Sequence, residues 1–487
     1  MPKARYIQES PWPIVGSTKF GQYPKISTEQ TYNMLITDDF MVNFSGYKNI
    51  QSISPEGVGR GIYSSNKLGK MFAVIDNNIY WFDSHLSRTK VTGTLATNNG
   101  TVFIAENNAD HNSIAFSDSQ NLYIYDDPSN TITTYTAEQL TFTPGYLTFQ
   151  NGRIISPDIE SNQWRLSELN DAISYPLASQ YVGTLQTKPD TAVACVRFPS
   201  RGNMLLVFGN TVAEQWYDVG ATLFPYQRSQ STNTDYGCLN PTTIAQTDNL
   251  VCWLGANEKS GPVIMYSDGG EIQKISTDGI DLKLAQISNP TNSFGFMFRQ
   301  DGHIFYVLTF VTDNLTYAYD FNTKSFYTLC DENFDAFIAK RVAFFNDQYY
   351  FVSIRDGNLY QLGSQFTNYD YGNGVRYEIP RVRVTPNTRF DDQSRSVIPY
   401  ASFTIEQGQT TKYQGQNPIV PAVDLSLSKD GGVNYGSTYR KILNPLGRRA
   451  NKLQFWGLGA PNDLVTQVRF YGLQRFVVSN GVIGMYK

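Results

Sequence analysis

The sequence predicts an all-β protein in which a divergent six- or seven-bladed β-propeller is followed by a C-terminal β-sandwich-like domain. Aromatic residues make up 14% of the 487 residues, with 32 Tyr and 30 Phe, and these residue types favour pleated, half-buried strands. The 38 Gly and 22 Pro residues mark the turns between strands. Charged residues are only 17% of the chain, which excludes a solvated, disordered protein.

A loose sequence repeat gives the propeller prediction. An apolar strand, a polar turn and a Tyr-rich alternating strand recur from positions 71, 113, 147, 204, 250, 304 and 342. The mean spacing of about 45 residues is typical of propeller blades built from antiparallel strands. In the third repeat, Asn151-Gly152 is a strong signal for a two-residue hairpin. A large sandwich or a set of stacked sheets is the alternative architecture.

The repeat also predicts how the chain is divided. Four prolines in the first 45 residues interrupt regular structure, so this part is expected to be extended. Short helices are expected only at 132–140 and 167–173. The predicted parts are an extended N-terminal arm with the first strand (1–45), the propeller (46–363), a linker (364–375) and the sandwich-like domain (376–487).

Charge is distributed unevenly along the chain. Residues 375–487 contain 15 Lys and Arg against 7 Asp and Glu, and the remainder contains 24 basic against 36 acidic residues. A basic end on an acidic body can face nucleic acid or an acidic partner; alternatively, its Arg-rich strands face solvent or a subunit contact. The run Arg381-Val382-Arg383-Val384 alternates, which places two Arg side chains on one face of a strand and two Val side chains on the other.

The sequence predicts no catalytic, cofactor-binding or metal site. The four cysteines lack the CxxC spacing of zinc or redox sites. His85, His111 and His303 lack the spacing of metal ligands or of a catalytic set, and GxSxG and phosphate-loop motifs are absent. No secretory signal or 18-residue apolar run is visible, so the chain is expected to fold in a reducing cytoplasm and not to insert into a membrane.

One turn motif in the C-terminal region is similar to the Asp-box of sialidase-type propellers. Ser428, Asp430, Gly432 and Tyr435 fit the pattern S-x-D-x-G-x-x-aromatic. The Asp430 carboxylate is expected to accept backbone N–H bonds inside the turn, and glycine permits a positive φ. The motif therefore predicts a structural turn. A sialidase-like glycoside hydrolase is the less favoured alternative, because no cluster of arginines with a Tyr/Glu pair can be placed.

Three groups of motifs occur in a characteristic order. The first group is YNML at 32–35, FSGY at 44–47 and VGRG at 58–61. The second is EQWY at 214–217, GAT at 220–222, YGC at 236–238 and GPVI at 261–264. The third is LSLS at 425–428 and DGGVNYG at 430–436. In order and spacing they resemble the tail hub proteins of short-tailed phages (podoviruses), which are also described as packaged DNA stabilisation or head-completion proteins.

The resemblance implies a structural virion protein rather than an enzyme. It implies a ring of six copies below the portal and its adaptor ring, which forms the tail hub or nozzle, retains packaged DNA and conducts it at ejection. The partners it implies are the other copies, the head–tail adaptor or portal ring, tail fibres or spikes, a needle or plug, and double-stranded DNA contacted non-specifically in the lumen. Such a protein is assembled in the host cytoplasm into the virion tail.

Two charge hypotheses follow from this resemblance. The acidic bulk of the chain is expected to line the lumen and repel DNA phosphates. The basic C-terminal region is expected to form a ring or adaptor interface, for which the candidate residues are Arg381, Arg383, Arg448, Arg449 and Lys452. A glycan- or receptor-binding propeller is the alternative function.

Overall fold

Strands account for almost all regular structure in the computed structural model, as the composition predicts. The structure describes residues 7–17, 29–198, 200–230, 233–247, 249–389, 395–408, 420–445, 447 and 451–486. Within these residues the helices are short: α1 is Ala137–Leu140, α2 is Asp278–Leu284, and single 3-10 turns span Ser179–Tyr181 and Pro241–Thr243. The helix expected within 132–140 is confirmed by α1, whereas residues 167–173 form a turn and a bend instead.

The N-terminal strands are members of sheets and not an isolated arm. Apolar side chains such as Met34 and Leu35 are fully buried, because strands β1 to β4 join the C-terminal sheets described below. The fifth strand joins the propeller. The five strands are β1 Ile7–Trp12, β2 Gln30–Tyr32, β3 Met34–Ile36, β4 Phe40–Asn43 and β5 Gly46–Ser54.

Seven four-stranded antiparallel blades lie within the described residues, and six of them are each built from four consecutive strands. Blades 1 to 3 are β6 Gly59–Ser65, β7 Lys70–Ile75, β8 Asn78–Phe82 and β9 Arg88–Lys90; β10 Phe103–Glu106, β11 Ile114–Ser117, β12 Asn121–Asp126 and β13 Thr131–Thr136; and β14 Thr148–Gln150, β15 Arg153–Pro157, β16 Gln163–Leu166 and β17 Val182–Thr184. Blades 4 to 6 are β18 Ala192–Arg197, β19 Met204–Gly209, β20 Ala213–Asp218 and β21 Tyr226–Arg228; β22 Ala245–Gln246, β23 Val251–Gly255, β24 Val263–Ser267 and β25 Ile272–Lys274; and β26 Ser293–Gln300, β27 His303–Phe310, β28 Leu315–Asp320 and β29 Ser325–Leu329.

Blade 7 combines strands that are distant in sequence. Its first three strands are β30 Ala339–Phe345, β31 Gln348–Ser353 and β32 Gly357–Gly363. Its fourth strand is β5, which pairs antiparallel with β32 and places Tyr47 opposite Leu362. Since β5 precedes blade 1 in the chain, this pairing closes the ring of blades.

Apolar clusters fill the junctions between successive blades, and the cluster between blades 6 and 7 is continuous with the core of the C-terminal region. Phe72 of blade 1 packs with Phe116 of blade 2, and Phe208 of blade 4 packs edge-on against Trp253 of blade 5 at a centroid distance of 4.8 Å. The seven sequence repeats correspond to the central strands of the seven blades. The predicted propeller is confirmed, and the described residues form seven blades.

A two-sheet sandwich accompanies the propeller, as predicted. The strands after blade 7 are β33 Asn368–Gly372, β34 Val375–Glu378, β35 Arg381–Val384, β36 Thr388–Arg389, β37 Tyr400–Ile405, β38 Ala422–Ser428, β39 Tyr439–Ile442, β40 Lys452–Trp456, β41 Asp463–Tyr471 and β42 Val477–Tyr486, and β33 and β34 are not part of the sandwich. One sheet has the order β2-β35-β41-β38-β39 and continues from blade 6 through a parallel contact between β2 and β29; the other has the order β3-β4-β42-β37-β40, with β1 also paired to β42. Val423, Phe455 and Ile483 belong to the core between them.

The segment expected to be a linker, 364–375, contributes strands to a sheet. β33 pairs parallel with β5, so Tyr369 lies opposite Tyr47, and their rings stack at a centroid distance of 4.3 Å. β34 then pairs back on β33. The connection between propeller and sandwich is therefore packed against blade 7, and the domain limits at 363 and 376 stay a prediction.

Candidate functional site

The run from Arg381 to Val384 alternates as predicted, but its arginine face points inward. Arg381 lies opposite Phe470 in β41, a residue of the sandwich core. Arg381 and Arg383 are 1% and 0% exposed, whereas Val382 and Val384 belong to a small apolar cluster on the other face. The prediction that Arg381 and Arg383 form an interface is therefore wrong, because a partner cannot reach buried side chains.

Arg383 instead joins the N-terminal segment to the sandwich. Its guanidinium donates hydrogen bonds to the Ile14 carbonyl and to Thr31 Oγ1, each at 2.8 Å. Its Nη2 also forms an ion pair with Glu29 Oε1 at 2.9 Å, and both side chains are buried. Since each partner comes from residues 14–31, this cation stabilises contact between the two ends of the chain.

Arg381 has a similar structural role at the other end of β35. Nη1 donates to the Gly472 carbonyl at 3.1 Å and Nη2 to the Thr367 carbonyl at 2.9 Å. The guanidinium carbon lies 5.3 Å from the centre of the Phe476 ring. Burial lowers the pKa of Arg381 to about 10, so the group is still charged at neutral pH and needs these carbonyl partners.

The other three predicted interface residues have different outcomes. Arg448 and Arg449 lie outside the described residues. Lys452 is exposed at the start of β40. Its position is compatible with a contact to another protein, and its interface role stays a prediction.

A basic face on the first sheet was missed by the sequence reasoning. Asp424 on β38 lies opposite both Arg440 and Arg469, so the three side chains share the face turned away from Arg381. Arg440 pairs with Asp424 at 2.7 Å, and its guanidinium carbon lies 5.0 Å from the Tyr471 ring. We call Arg440, Arg469 and Tyr471 the basic face. The sequence signal that could have found this face is the two-residue period of β41, which places Arg469 and Tyr471 on the same side of the strand.

A groove of about 400 Å³ adjoins this basic face. Its lining includes Phe334, Tyr377, Val382, Arg469 and Tyr471. Phe334 and Tyr377 are 47% and 44% exposed. Exposed aromatic rings beside arginine are typical of surfaces that bind other proteins. The groove and the basic face together form the candidate functional site, which is suited to binding and contains no nucleophile–base pair among its lining residues.

The predicted structural turn is present at 428–434. Asp430 Oδ1 accepts backbone N–H bonds from Val433 at 3.2 Å and from Asn434 at 2.9 Å. Ser428 Oγ donates to Asp430 at 2.6 Å and accepts from the Gly432 N–H at 2.8 Å. Gly432 has a φ of 90°, a conformation that favours glycine. The motif thus closes the β38 hairpin, with Tyr435 directly after the turn.

The hydrogen bonds of this turn predict an acidic shift that can be measured. The Asn434 N–H and then the Ser428 hydroxyl lower the pKa of Asp430 to about 2. The ionised carboxyl therefore favours the folded state above its unfolded pKa near 4, and this contribution is lost as the pH falls through about 2. In a carbon-13 NMR titration of the carboxyl, we expect Ser428→Ala to raise the Asp430 pKa. A wild-type pKa close to 3.8 would contradict the assignment.

The described residues contain no group of three or more His, Cys, Asp or Glu side chains that could hold a metal ion. The four cysteines are buried and free. His303 has a partner that the sequence did not indicate, because its Nδ1 lies 2.8 Å from Asp320 Oδ2, which also accepts the Thr323 hydroxyl at 2.7 Å. This set lies within blade 6. Among the described helices, none has the length and apolar character needed to cross a membrane.

The outer face of the second sheet carries a pair of exposed aromatic residues. Trp456 is 59% exposed, and its ring packs against that of Tyr400 at a centroid distance of 5.4 Å. The Tyr400 hydroxyl donates to the Glu9 carboxylate on the neighbouring part of the sheet. We call Trp456 and Tyr400 the aromatic platform. Flat aromatic surfaces with polar neighbours can stack on planar or apolar faces of ligands.

A protein-family model matches most of this chain. The family model Phage_stabilise, described as Bacteriophage P22 Gp10, beta-propeller, matches residues 21–367. The matched range includes all seven blades and the strands β2 to β5, and it ends before the basic face. No curated protein matches the sequence.

Several solved structures are similar to this chain at low sequence identity and low TM-score. Virginiamycin B lyase from Staphylococcus aureus has a TM-score of 0.44 and 14% identity, over 64% of this chain and 98% of that one. The Pan2 WD40 domain of Neurospora crassa has a TM-score of 0.38 and 8% identity, over 66% and 91% of the two chains. The extracellular domain of the putative one component system BT4673 from B. thetaiotaomicron has a TM-score of 0.41 and 10% identity, over 86% and 47%. At these scores the likenesses carry no argument about function.

Proposed function

Because the chain belongs to the phage stabilisation family of bacteriophage P22 Gp10 and is therefore a structural phage protein, we propose that it is a component of a short phage tail. Six copies form a ring, the tail hub or nozzle, below the portal and its adaptor ring. The ring retains packaged DNA, conducts it at ejection and anchors tail fibres or spikes and a plug. The observation that carries this proposal is the family match across the whole propeller.

The architecture suits a mechanical part. Six of the blade junctions have an apolar cluster of their own, and the junction of blades 6 and 7 shares the large cluster of the sandwich. The β5–β32 pairing joins the last blade to a strand that precedes the first. A closed assembly of copies needs a head-to-tail contact whose rotation returns to the start. Such a protein needs no catalytic group, which agrees with a site made of a groove and a basic face.

The ring is tested by its mass and symmetry. Light scattering and class-averaged electron microscopy of the full chain, alone and with tail-less heads, are expected to show six-fold rings, either free or formed on heads. A monomer that remains alone in the presence of heads would contradict the proposal.

The basic face is proposed to contact the adaptor ring. We expect the double variant Arg440→Glu, Arg469→Glu to bind tail-less heads at least about tenfold more weakly, because each reversal places like charges against an acidic partner. Co-sedimentation with heads measures this binding. Lys90→Glu, an exposed reversal on the outer strand of blade 1, is the matched control and should bind like the wild type. If the double variant and the Lys90→Glu control bind heads equally well, the basic face does not contact the adaptor ring.

The acidic part of the chain is proposed to face the lumen, where it repels DNA phosphates and prevents tight binding during ejection. This follows from the 36 acidic against 24 basic residues outside 375–487. The charge of the lumen in a reconstructed ring tests the idea, and a basic lumen would contradict it.

The aromatic platform favours a second candidate function, which is glycan or receptor binding. A glycan array tests it, with Trp456→Ala expected to lose the signal because the stacking surface is removed. If the wild type binds no glycan on the array, the glycan-binding candidate is rejected and the tail-hub proposal remains. A fluorogenic glycoside in the same buffer distinguishes a hydrolase from a binding protein.

A further inference from the structure

Four Asn-Gly pairs occur in the chain, and they differ in what holds the asparagine side chain. They are Asn99-Gly100, Asn151-Gly152, Asn373-Gly374 and Asn480-Gly481. In such a pair the backbone nitrogen of glycine can attack the side-chain carbonyl carbon of asparagine, because glycine has no Cβ to hinder the approach. In a folded protein the attack also requires that neither group is held away from the other. The contacts of each pair therefore decide which of them can react.

Two of the pairs form hairpin turns with almost the same backbone. Asn151 and Gly152 have φ values of 50° and 81°, and Asn373 and Gly374 have φ values of 52° and 81°. Two consecutive positive φ values are typical of a type I′ turn, for which Asn-Gly is a favoured sequence. The first turn joins β14 to β15, and the second joins β33 to β34. A difference in reactivity between the two turns must therefore come from their surroundings.

The turn at 151–152 is held by its neighbours. The Asn151 carboxamide donates a hydrogen bond to Asp218 Oδ2 at 2.6 Å, and the Gly152 carbonyl accepts the Asn170 N–H at 2.6 Å. A Cβ added to Gly152 would lie 3.1 Å from Leu169 Cδ2, so the turn is also closely packed. Before any attack, the carboxamide must leave Asp218 and rotate toward the Gly152 nitrogen.

The turn at 373–374 lacks such contacts. Asn373 and Gly374 are exposed, and neither the Asn373 carboxamide nor the Gly374 N–H forms a hydrogen bond with a described residue. A Cβ added to Gly374 would meet no atom within 4 Å. The hairpin is fixed instead by Asp370, whose carboxylate accepts the Gly372 N–H and pairs with Arg376, each at 2.9 Å. The Asn373 side chain is therefore free to rotate toward the Gly374 nitrogen.

The other two pairs are not hairpin turns. Asn480 Oδ1 accepts the Val15 N–H at 2.8 Å, and Gly481 lies in β42, which is paired on one side with β1 and on the other with β37. The pair at 99–100 lies in the loop between blades 1 and 2, where Arg60 Nε donates to the Gly100 carbonyl at 3.0 Å. Among the four pairs, the turns at 151–152 and 373–374 are thus the two that are matched in backbone conformation.

We propose that Asn373 is a site of spontaneous deamidation and that the contact with Asp218 protects Asn151 from the same reaction. The Gly374 nitrogen bonds to Asn373 Cγ and the Cγ–Nδ2 bond breaks. The side-chain nitrogen leaves as ammonia, with the proton of the Gly374 N–H. Water then opens the five-membered succinimide and gives aspartate or isoaspartate. The reaction consumes only water and does not depend on the proposed ring.

The product alters the hairpin that carries Tyr377 into the groove. Aspartate adds a negative charge at the turn, and isoaspartate adds one methylene to the main chain of the loop. Loop length and turn type fix the register of a hairpin, which here pairs Tyr377 with Tyr369. Deamidation of Asn373 therefore changes a wall of the candidate functional site.

Peptide mapping by mass spectrometry tests the proposal on the full chain, after incubation in mildly alkaline oxygen-18 water. We expect the peptide that contains Asn373 to take up one solvent oxygen and to separate into two isomers. Asn151 is expected to react roughly tenfold or more slowly, because its carboxamide must first break a hydrogen bond to a carboxylate. Asp218→Ala removes this acceptor and should bring the rate at Asn151 close to that at Asn373.

A synthetic peptide of residues 370–378 gives the rate of the same sequence without the fold. The proposal is overturned if Asn373 stays unmodified in the protein while this peptide reacts completely. It is equally overturned if Asn151 reacts as fast as Asn373 in the wild type. If Asn151 stays unreactive in Asp218→Ala, the hydrogen bond does not protect it, and that part of the proposal is wrong.

Discussion

Replacing Arg383 with methionine is expected to lower the free energy of unfolding by about 3–5 kcal/mol, because it leaves a buried carboxylate without its partner. Arg383 and Glu29 lie 2.9 Å apart with side chains 0% and 4% exposed. The variant also leaves the Ile14 carbonyl and Thr31 hydroxyl without their donor. Urea unfolding followed by tryptophan fluorescence measures the change, since Trp12 lies in the same core.

Two further variants show whether the loss comes from the buried pair. Arg383→Met combined with Glu29→Met replaces both charges by apolar side chains and should recover much of the lost stability. Arg475→Met removes an exposed arginine and should change the free energy of unfolding by less than about 0.5 kcal/mol. If Arg383→Met behaves like Arg475→Met, the buried pair does not stabilise the sandwich.

Substitution of Gly237 by alanine is expected to destabilise the propeller by about 3 kcal/mol or more, because the added methyl has no space. Its Cβ would overlap the backbone of residues 209–211, at Gly209 O, Asn210 C and Thr211 N. Backbone atoms cannot move aside as a flexible side chain can. The Gly237 carbonyl also accepts the Trp253 indole N–H at 3.0 Å, so a shift of this residue disturbs the junction of blades 4 and 5.

Thermal unfolding and the soluble yield of Gly237→Ala measure this effect. Gly202→Ala is the matched control, since an added Cβ there meets no atom within 4 Å. The control should be close to the wild type. Equal stability of the two variants would show that the contact between residues 209–211 and 237 can relax without cost. The expected result gives a physical reason for the YGC motif at 236–238.

The blades were predictable because their signals are local. Each repeat detected in the sequence contains a hairpin, such as β7–β8 or β19–β20, whose alternation and turn lie within about 15 residues. The positions of strands β1 to β4 were not predictable in the same way. β3 and β4 pair with each other locally, but β1, β2 and the other edge of β4 pair with strands hundreds of residues away, as in the pairing of Ile7 with Tyr486. A short apolar run does not identify such a distant edge.

The candidate site was only partly predictable for the same reason, which is that its contacts join distant parts of the chain. The alternation of Arg381 to Val384 predicted correctly which side chains share a face. It could not predict that the arginine face is buried, because the counter-charge Glu29 comes from a segment more than 350 residues earlier. From the residue type alone, the arginine side chains were expected at the surface, where arginine is usually found. The groove was not predictable, because Phe334, Tyr377 and Arg469 come together from three strand ends or loops.

The interleaved ends of the chain have a consequence for synthesis. β1 and β5 leave the ribosome early, but their partners β42 and β32 are made later, so neither strand can complete its pairing while the chain is short. At ordinary translation rates the wait for the last strand is roughly 20 to 90 s. During that time, the edge of β4 that later pairs with β42 is open and can pair with other nascent chains. The blades built from four consecutive strands do not depend on β42, so they can fold while the rest of the chain is still being made.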